Sequence, residues 1–186
     1  MPEPATTAAV EVVDYDPEWP EMFQKLKDRI WPFLCDAAVA IEHVGSTSVI
    51  GMAAKPVIDA DIVIASTADL PVLIVRLENL GYKHRGNLGI DGRDAFATPK
   101  DQPAHHLYVC IQNSLALRNH IAVRDYLRTH RSQAMAYSDL KKQLAKQFAS
   151  ERLRYQEGKT DFILSILEQC GFSTDEMESI RRANQM

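Results

Sequence analysis

The sequence lacks the features that mark secreted and membrane-spanning proteins. Its three cysteines, Cys35, Cys110 and Cys170, are far apart and include no Cys-x-x-Cys pair, so neither a disulfide framework nor a zinc site is indicated. The first residues lack a basic head followed by an apolar run, and no later segment stays apolar long enough to cross a bilayer. We therefore expect a cytoplasmic protein without a membrane partner, its cysteines reduced and in or near the core.

An excess of positive charge is also missing. The chain carries 21 Lys and Arg against 25 Asp and Glu, a net charge of −4. Binding to nucleic acid depends on clustered positive charge, so the composition does not favour a nucleic-acid partner. Residues 118–131 are a local exception, because Arg124, Arg128, His120 and His130 accompany a single acid, Asp125. Such faces are usually only solvated, and no base-stacking platform is evident.

Several catalytic motifs are absent as well. The chain has no Gly-x-x-x-x-Gly-Lys-[Ser/Thr] loop of a P-loop kinase and no Gly-x-Ser-x-Gly elbow of an esterase. Cys35 or Cys110 could be imagined as a nucleophile with His106 as its base, but sequence alone does not bring them together.

What is present is one ordinary globular domain. The chain has 186 residues, 46% apolar and 25% charged, which is enough for one full core. We expect a single domain over residues 10–172. Residues 1–9 are small, polar and proline-containing and residues 173–186 lack a sustained apolar stripe, so both termini are expected to be flexible.

Hydrophobic periodicity predicts an α+β fold. The predicted strands are a short edge strand at 10–13, strands at 39–44, 57–64 and 104–112, and a hairpin over 82–98. The predicted helices cover about 16–34, with a kink or end at Pro32, then 70–80, and most of the chain from Leu115 onward, with breaks near Arg131 and Gly158.

The chemistry centres on residues 43–64. The strand 39–44 stops at Gly45, and Ser46, Thr47 and Ser48 then offer hydroxyl and N–H groups. A short helical turn around 49–54 would aim its N-terminus at an anion above the glycine. The alternative is a Ser/Thr-rich turn that only caps a helix.

Two carboxylates share one face of the next strand. Side chains alternate along 57–64, so Asp59 and Asp61 point one way and Ile58, Ala60, Ile62 and Ile64 the other. An isolated ionised group in a dry interior is very costly. The two carboxylates therefore predict a bound cation.

These residues resemble a known family. Gly45-Ser46 followed by Asp59-Ala60-Asp61 is similar to the signature of the nucleotidyltransferase superfamily, and the chain more closely resembles the GrpB family within it. The likeness covers about residues 10–172. It includes Tyr15-Asp16-Pro17-x-Trp19, His43-Val44-Gly45-Ser46-Thr47-Ser48-Val49-x-Gly51-x-Ala53-Ala54-Lys55-Pro56-x-Ile58-Asp59, Arg124-Asp125-Tyr126-Leu127-Arg128, Tyr137-x-x-Leu140-Lys141 and Tyr155-x-x-x-Lys159. Ile50 and Tyr108 depart from the family pattern, which usually has proline and histidine there.

The resemblance implies a nucleotidyltransferase-like mixed sheet flanked by helices, with a helical C-terminal part, and a site for Mg²⁺ or Mn²⁺ and a nucleoside triphosphate. Asp59 and Asp61 would hold the metal, Lys55 and Arg93 would neutralise phosphate charge, and Gly45, Ser46, Thr47 and Ser48 would contact the phosphates.

The superfamily also generally needs a third carboxylate, which the strand 104–112 lacks. The candidates are Asp91, Asp94 and Glu42. His106 could instead complete the metal site, although imidazole suits Mn²⁺, Zn²⁺ or iron better than Mg²⁺.

Three hypotheses follow. The first is a metal-dependent enzyme that transfers a nucleotidyl or phosphoryl group from a nucleotide to an unknown acceptor. The second is a catalytically inactive nucleotide-binding or regulatory module on the same fold. The third is a structural or RNA-contacting protein that uses residues 118–131.

Overall fold

Five β-strands form one mixed sheet in the computed structural model, which describes residues 9–184. They are β1 (Ala40–Val44), β2 (Ile58–Ile64), β3 (Lys83–His84), β4 (Arg93–Ala97) and β5 (His105–Ile111), in the order β1-β2-β5-β4-β3. The central pair β2 and β5 is parallel, and the other neighbours are antiparallel. The predicted mixed sheet, its hairpin and the α+β class are confirmed.

Seven α-helices surround this sheet in the described part of the chain. They are α1 (Trp19–Ile30), α2 (Leu70–Asn79), α3 (Leu115–Thr129), α4 (Arg131–Gln147), α5 (Arg152–Glu157), α6 (Thr160–Gln169) and α7 (Thr174–Ala183). A 3-10 turn at Trp31–Phe33 follows α1, so Pro32 ends the α-helix as predicted. Both breaks expected in the C-terminal part, near Arg131 and Gly158, are also present.

The main core lies on one face of the sheet. Ala60, Ile62 and Ile64 of β2 are buried there against apolar side chains of α1 and α2. The opposite face carries Asp59 and Asp61, and α3 packs on it through Leu117, which contacts Val63 and Cys110. The alternation of β2 therefore sorts its side chains as predicted, with the carboxylates on the α3 side.

A second core joins the C-terminal helices to the segment after β1. Val49 and Met52 pack against Leu127, Tyr137 and Ile166 of α3, α4 and α6. A hydrogen bond from the backbone N–H of Ala53 to Ser138 Oγ, 3.0 Å long, links α4 to the same segment. This docking brings α4 over the Gly45 turn.

Two local predictions are wrong. Residues 10–13 do not form a strand, and Val13 alone makes an antiparallel bridge, to Ala54. The predicted helical turn at 49–54 is absent, because the turn is a 3-10 helix at Ser46–Ser48 and Val49 is already extended. The hydroxyl of Ser48 closes this turn on the carbonyl of Gly45 at 2.6 Å.

The C-terminal segment also differs from its prediction. Where flexibility was expected, α7 begins with a reciprocal capping pair of Ser173 and Glu176, and it buries Ile180 against α6 residues such as Leu167. The apolar pattern of residues 173–186 is too short and too polar to predict a helix by itself. The predicted flexible N-terminus falls almost entirely on residues 1–8, which lie outside the described part, as do residues 185–186.

The cysteines are free, but two of them lie elsewhere than expected. Cys110 is fully buried, whereas Cys35 and Cys170 are exposed. The helices described within residues 9–184 do not combine the length and the apolar composition that crossing a bilayer requires.

Candidate functional site

The Gly45 turn and Asp59 touch each other. Gly45 has φ +68° and ψ −173°, a conformation that essentially only glycine adopts. A Cβ placed on it would lie 2.3 Å from Oδ2 of Asp59. The pairing of Val44 with Asp59 between β1 and β2 sets this approach. Glycine is therefore required here by both its backbone and its neighbour.

Asp59 faces a cavity of about 240 Å³ between the turn and the C-terminal helices. His106, its register partner on β5, is hydrogen-bonded through Nδ1 to Asp59 Oδ1 at 2.7 Å. Gly45, Ser46 and Thr47 line the same cavity. The structure thus brings together the predicted turn, one predicted carboxylate and the predicted histidine.

Asp61 lies deeper than Asp59. Its side chain is 0% exposed, and Oδ2 is hydrogen-bonded to Nδ1 of His120, on α3, at 2.7 Å. Oδ1 is buried with no hydrogen-bond partner. Burial disfavours the charged form of His120, but the charge of Asp61 and the hydrogen bond to it outweigh burial and raise the pKa of His120.

Three lysines surround the cavity. Lys55 follows the turn in sequence, while Lys141 comes from α4 and Lys159 immediately precedes α6. Lys141 is 2% exposed, and its Nζ donates to Ser46 Oγ at 2.7 Å and to the carbonyl of Ala53. The ammonium groups of Lys141 and Lys159 lie over aromatic rings, 4.8 Å from the centroid of Tyr137 and 4.7 Å from that of Tyr155.

These ammonium groups lower one another's pKa values. Burial and the charge of Lys159 lower the pKa of Lys141 to about 7. Burial and the charge of Lys55 lower the pKa of Lys159 to about 8. Burial and the charge of Arg152 lower the pKa of Lys55. Each shift reports a buried positive site whose charge an anion would offset.

Of the other residues predicted to contact phosphate, one lines the cavity and two do not. Thr47 lines the cavity, although its hydroxyl is hydrogen-bonded to Nε2 of His43 at 3.0 Å. Ser48 is occupied by the turn itself, since its hydroxyl bonds to Gly45. Arg93 does not reach this cavity, because its guanidinium lies over the Tyr108 ring at 4.4 Å and lines a second cavity instead.

That second cavity, of about 440 Å³, adjoins the first. It lies between Asp91, Arg93, the start of α3 and the end of α7. Asn119, His120 and Asn184 line both cavities. A molecule in one cavity can therefore lie next to a molecule in the other.

The candidates for a third carboxylate do not meet at Asp59. Glu42 lies beside Asp61 in the register, but its Oε2 accepts from Arg124 at 2.6 Å. Asp94 is paired with His84 at 2.7 Å, and Asp91 lines only the second cavity. Of the proposed alternatives, His106 alone contacts a predicted metal ligand.

Two features fit a divalent cation. The buried Oδ1 of Asp61 has no hydrogen-bond partner, and the Asp59 carboxylate lines the first cavity. Asp59 and Asp61 could therefore hold an ion, but only Asp59 opens to the first cavity. Among the residues that the structure describes, one group of three potential ligands has all its ligand atoms within 4.8 Å, namely Asp61, Cys110 and His120.

Sequence reasoning assigned no role to Lys141, Lys159 or His120. The two lysines belong to motifs that carried the family resemblance, which was the available signal, but no local pattern placed them beside Gly45. His120 was grouped with a basic helix face.

That basic face is largely engaged within the protein. Arg124 binds Glu42, Arg118 donates to Glu176 at 2.6 Å, and Arg128 donates to the carbonyl of Ser48 at 3.0 Å. The Tyr126 ring stacks on His130 at 3.9 Å. Arg118, Arg124 and Arg128 therefore make contacts within the protein.

Known proteins match most of this chain. Residues 9–169 match the family model described as GrpB protein. The UPF0157 protein YqkA of Bacillus subtilis is 36% identical over 154 residues, which are 83% of this chain and 45% of YqkA. The UPF0157 protein BH1888 of Halalkalibacterium halodurans is 30% identical over 87% of this chain and 82% of its own length. The chain therefore spans less than half the length of YqkA.

A solved structure agrees with the fold. The crystal structure of conserved protein GrpB from Enterococcus faecalis superposes with a TM-score of 0.76 at 30% sequence identity. The match covers 92% of this chain and 98% of that chain.

Proposed function

Because this chain belongs to the GrpB family, and because the Gly-Ser turn and the Asp-x-Asp strand resemble those of nucleotidyltransferases, we propose that it is a metal-dependent enzyme. It binds a nucleoside triphosphate and transfers a nucleotidyl or phosphoryl group to an acceptor. One observation carries the proposal: buried Lys141 bonds to Ser46 of the turn, in the same cavity that Asp59 faces.

The triphosphate would lie among the lysines. Once a triphosphate raises their pKa values, Lys55, Lys141 and Lys159 would supply three positive charges to one cavity, and ionised groups make the strongest hydrogen bonds to phosphate. Removing these side chains from water is costly without an anion. The Tyr137 and Tyr155 rings hold two of the ammonium groups in place, so their positions are set before the nucleotide arrives.

Asp59 and Asp61 would hold the cation on the other side of the phosphates. A divalent ion supplies charge neutralisation at phosphate oxygens and orients them for in-line displacement. His106 fixes the orientation of the Asp59 carboxylate through its 2.7 Å hydrogen bond. Gly45 keeps the main chain close to that carboxylate, so the turn and the ion would contact the same phosphates.

The acceptor would occupy the second cavity. It adjoins the first along Asn119, His120 and Asn184, and it presents Asp91, Arg93 and Arg182 as polar contacts. This arrangement supports a transfer between two bound molecules rather than storage of one.

The alternative is a nucleotide-binding module that has lost transfer. The observation that favours it is the engagement of Glu42 by Arg124 and of Asp94 by His84, which leaves neither acid free to complete a three-carboxylate site. The two functions predict the same nucleotide binding and differ in turnover.

Calorimetry with ATP, CTP, GTP and UTP, with Mg²⁺ or Mn²⁺ present, tests both. We expect stoichiometric binding that Lys141→Met weakens by about 10- to 100-fold, as loss of a charged hydrogen bond of about 1.5–3 kcal/mol implies. Lys142→Met is the matched control, because Lys142 is exposed and pairs with Asp14 outside the cavity. Equal affinities of the two variants would refute the proposed phosphate site.

Mass spectrometry of the nucleotide after long incubation with a metabolite extract then separates the two functions. Transfer predicts pyrophosphate or a nucleoside diphosphate together with a new adduct, and Asp59→Asn should abolish them. Stoichiometric binding without any product would favour the module.

A further inference from the structure

We propose that Asp61, Cys110 and His120, the buried triad, bind a first-row transition ion of the zinc class. This inference rests on the proposed function for the role of Asp61 as a cation ligand, and it adds a second ion, of a different class from the Mg²⁺ or Mn²⁺ that Asp61 would share with Asp59. The ligand atoms of the triad all lie within 4.8 Å of one another. They come from β2, β5 and α3, so the fold, and not a local motif, assembles them.

An unsatisfied atom independently points to an ion at this place. Asp61 is 0% exposed, and its Oδ1 has no hydrogen-bond partner while Oδ2 is paired with His120. A buried charged oxygen without a partner is costly, and native proteins rarely leave one. A cation bound by both carboxylate oxygens would satisfy Oδ1 and would replace the hydrogen bond that Oδ2 loses when Nδ1 of His120 becomes a ligand.

The donor atoms select the class of ion. Imidazole nitrogen and thiolate sulfur suit zinc and neighbouring transition ions, whereas Mg²⁺ prefers oxygen ligands and usually retains several waters. The other acids near Asp61 have partners of their own: Glu42 pairs with Arg124 and Asp94 with His84, while Asp59 is hydrogen-bonded to His106 and lines the first cavity. Asp61 itself is shielded from solvent. The triad therefore suits a largely dehydrated ion.

The ligand atoms would need to move by up to about 1 Å to complete the coordination. Ligands at 2.0–2.3 Å around a tetrahedral ion lie about 3.3 to 3.8 Å apart. His120 Nδ1 and Asp61 Oδ2 are now 2.7 Å apart, so they must separate by about half an ångström.

The charges balance when the ion binds. The thiol proton of Cys110 leaves to solvent, and the ion replaces the proton on Nδ1 of His120, which ligates as a neutral imidazole protonated at Nε2. One carboxylate and one thiolate then offset the two positive charges. Arg93, which pairs with Cys110 in the β4–β5 register, consequently faces a neutral centre and does not repel the ion.

Cobalt substitution tests this site without any assay of activity. The chain is freed of metal with a chelator and titrated with Co²⁺, Zn²⁺ and Mg²⁺. We expect one equivalent of Co²⁺ to produce the near-ultraviolet charge-transfer band of a cobalt–thiolate bond. Zn²⁺ should displace the bound Co²⁺ at a concentration at least about 100-fold lower than Mg²⁺ requires. A wild-type protein that shows no such band would overturn the proposal.

Variants identify the ligands. Cys110→Ser and Cys110→Ala should remove the band, and His120→Gln should weaken Co²⁺ binding by about 10- to 100-fold or more. Cys170→Ser is the matched control, because Cys170 is exposed and lies outside the triad. A band that survives Cys110→Ala, or that Cys170→Ser abolishes, would place the thiolate elsewhere and reject the site.

Binding of MgATP measured on the same preparations separates this inference from the proposed function. A cobalt–thiolate band without nucleotide binding would leave the metal site standing and reject the nucleotide site. Nucleotide binding without the cobalt–thiolate band would support the nucleotide site and reject the metal site.

Discussion

Gly45 and Asp59 are sterically matched, because the space that a Cβ on residue 45 would occupy is taken by the carboxylate of residue 59. The contact would be 2.3 Å to Oδ2 and 2.9 Å to Cγ. The backbone of Gly45 adds a second requirement, with a positive φ and an extended ψ. The glycine thus permits the turn and at the same time determines where the carboxylate lies.

Gly45→Ala should therefore disturb both stability and the site. We expect the free energy of unfolding to fall by more than about 2 kcal/mol, because backbone strain of about 1–3 kcal/mol combines with the clash. Gly51→Ala is the matched control, since Gly51 also has a positive φ, +81°, but a Cβ added there would meet nothing within 4 Å beyond its chain neighbours. Urea unfolding should show a smaller loss of about 1–2 kcal/mol for that variant. Equal losses would contradict the role of Asp59.

Nucleotide binding should weaken as the pH rises above 7. Lysines bind phosphate in their protonated form, and those of the free protein release their protons near pH 7 for Lys141 and near pH 8 for Lys159. A bound triphosphate would raise both pKa values, so binding at and above pH 7 takes up protons, whereas below about pH 6 both lysines are already charged. We expect affinity to fall by at least about tenfold between pH 7 and 9.

Calorimetry in buffers of different ionisation enthalpy measures the proton uptake directly. Lys141→Met should reduce that uptake between pH 7 and 8, and Lys142→Met should not. An affinity that is constant from pH 7 to 9 would show that neither lysine contacts the nucleotide.

The start of α7 should depend on one serine. Ser173 Oγ accepts from the backbone N–H of Glu176, whose carboxylate in turn accepts from the N–H of Ser173. Ser173→Ala should destabilise α7 by about 1 kcal/mol. Hydrogen exchange should accelerate within residues 174–183 and remain unchanged elsewhere. Ser165→Ala provides the control, because that hydroxyl bonds to Phe162 inside α6 and caps nothing. Exchange in α7 that does not change would contradict the capping role.

RNA binding through residues 118–131 should be weak and nearly independent of salt. Arg118 and Arg124 already pair with Glu176 and Glu42, and Arg128 lies 3.8 Å from Asp125, so few unpaired positive charges remain to displace counterions. Fluorescence anisotropy of a labelled single-stranded RNA at 50 and 200 mM salt measures this. A loss of affinity of about 1,000-fold across that range would instead support a nucleic-acid function.

Much of the candidate site followed from local pattern. The alternation of β2 placed Asp59 and Asp61 on one face, whereas the pairing of β2 with β5, which puts His106 beside Asp59, is a feature of the tertiary structure. The glycine and the hydroxyls of the turn were also recognised from their residue types. The helical turn at 49–54 was predicted wrongly, because Gly45 starts the turn earlier and Ser48 closes it on the carbonyl of Gly45.

The sequence by itself determined the α+β class, the two carboxylates and the glycine turn, since each depends on side chains a few residues apart. Only the tertiary structure decided that Lys141 meets Ser46 across 95 residues and that His120 meets Asp61 across 59. It also decided that Asp61 is buried with Cys110 while Asp59 opens to a cavity. Periodicity reports which face a side chain occupies, whereas the packing of α3 and α4 determines what that face meets.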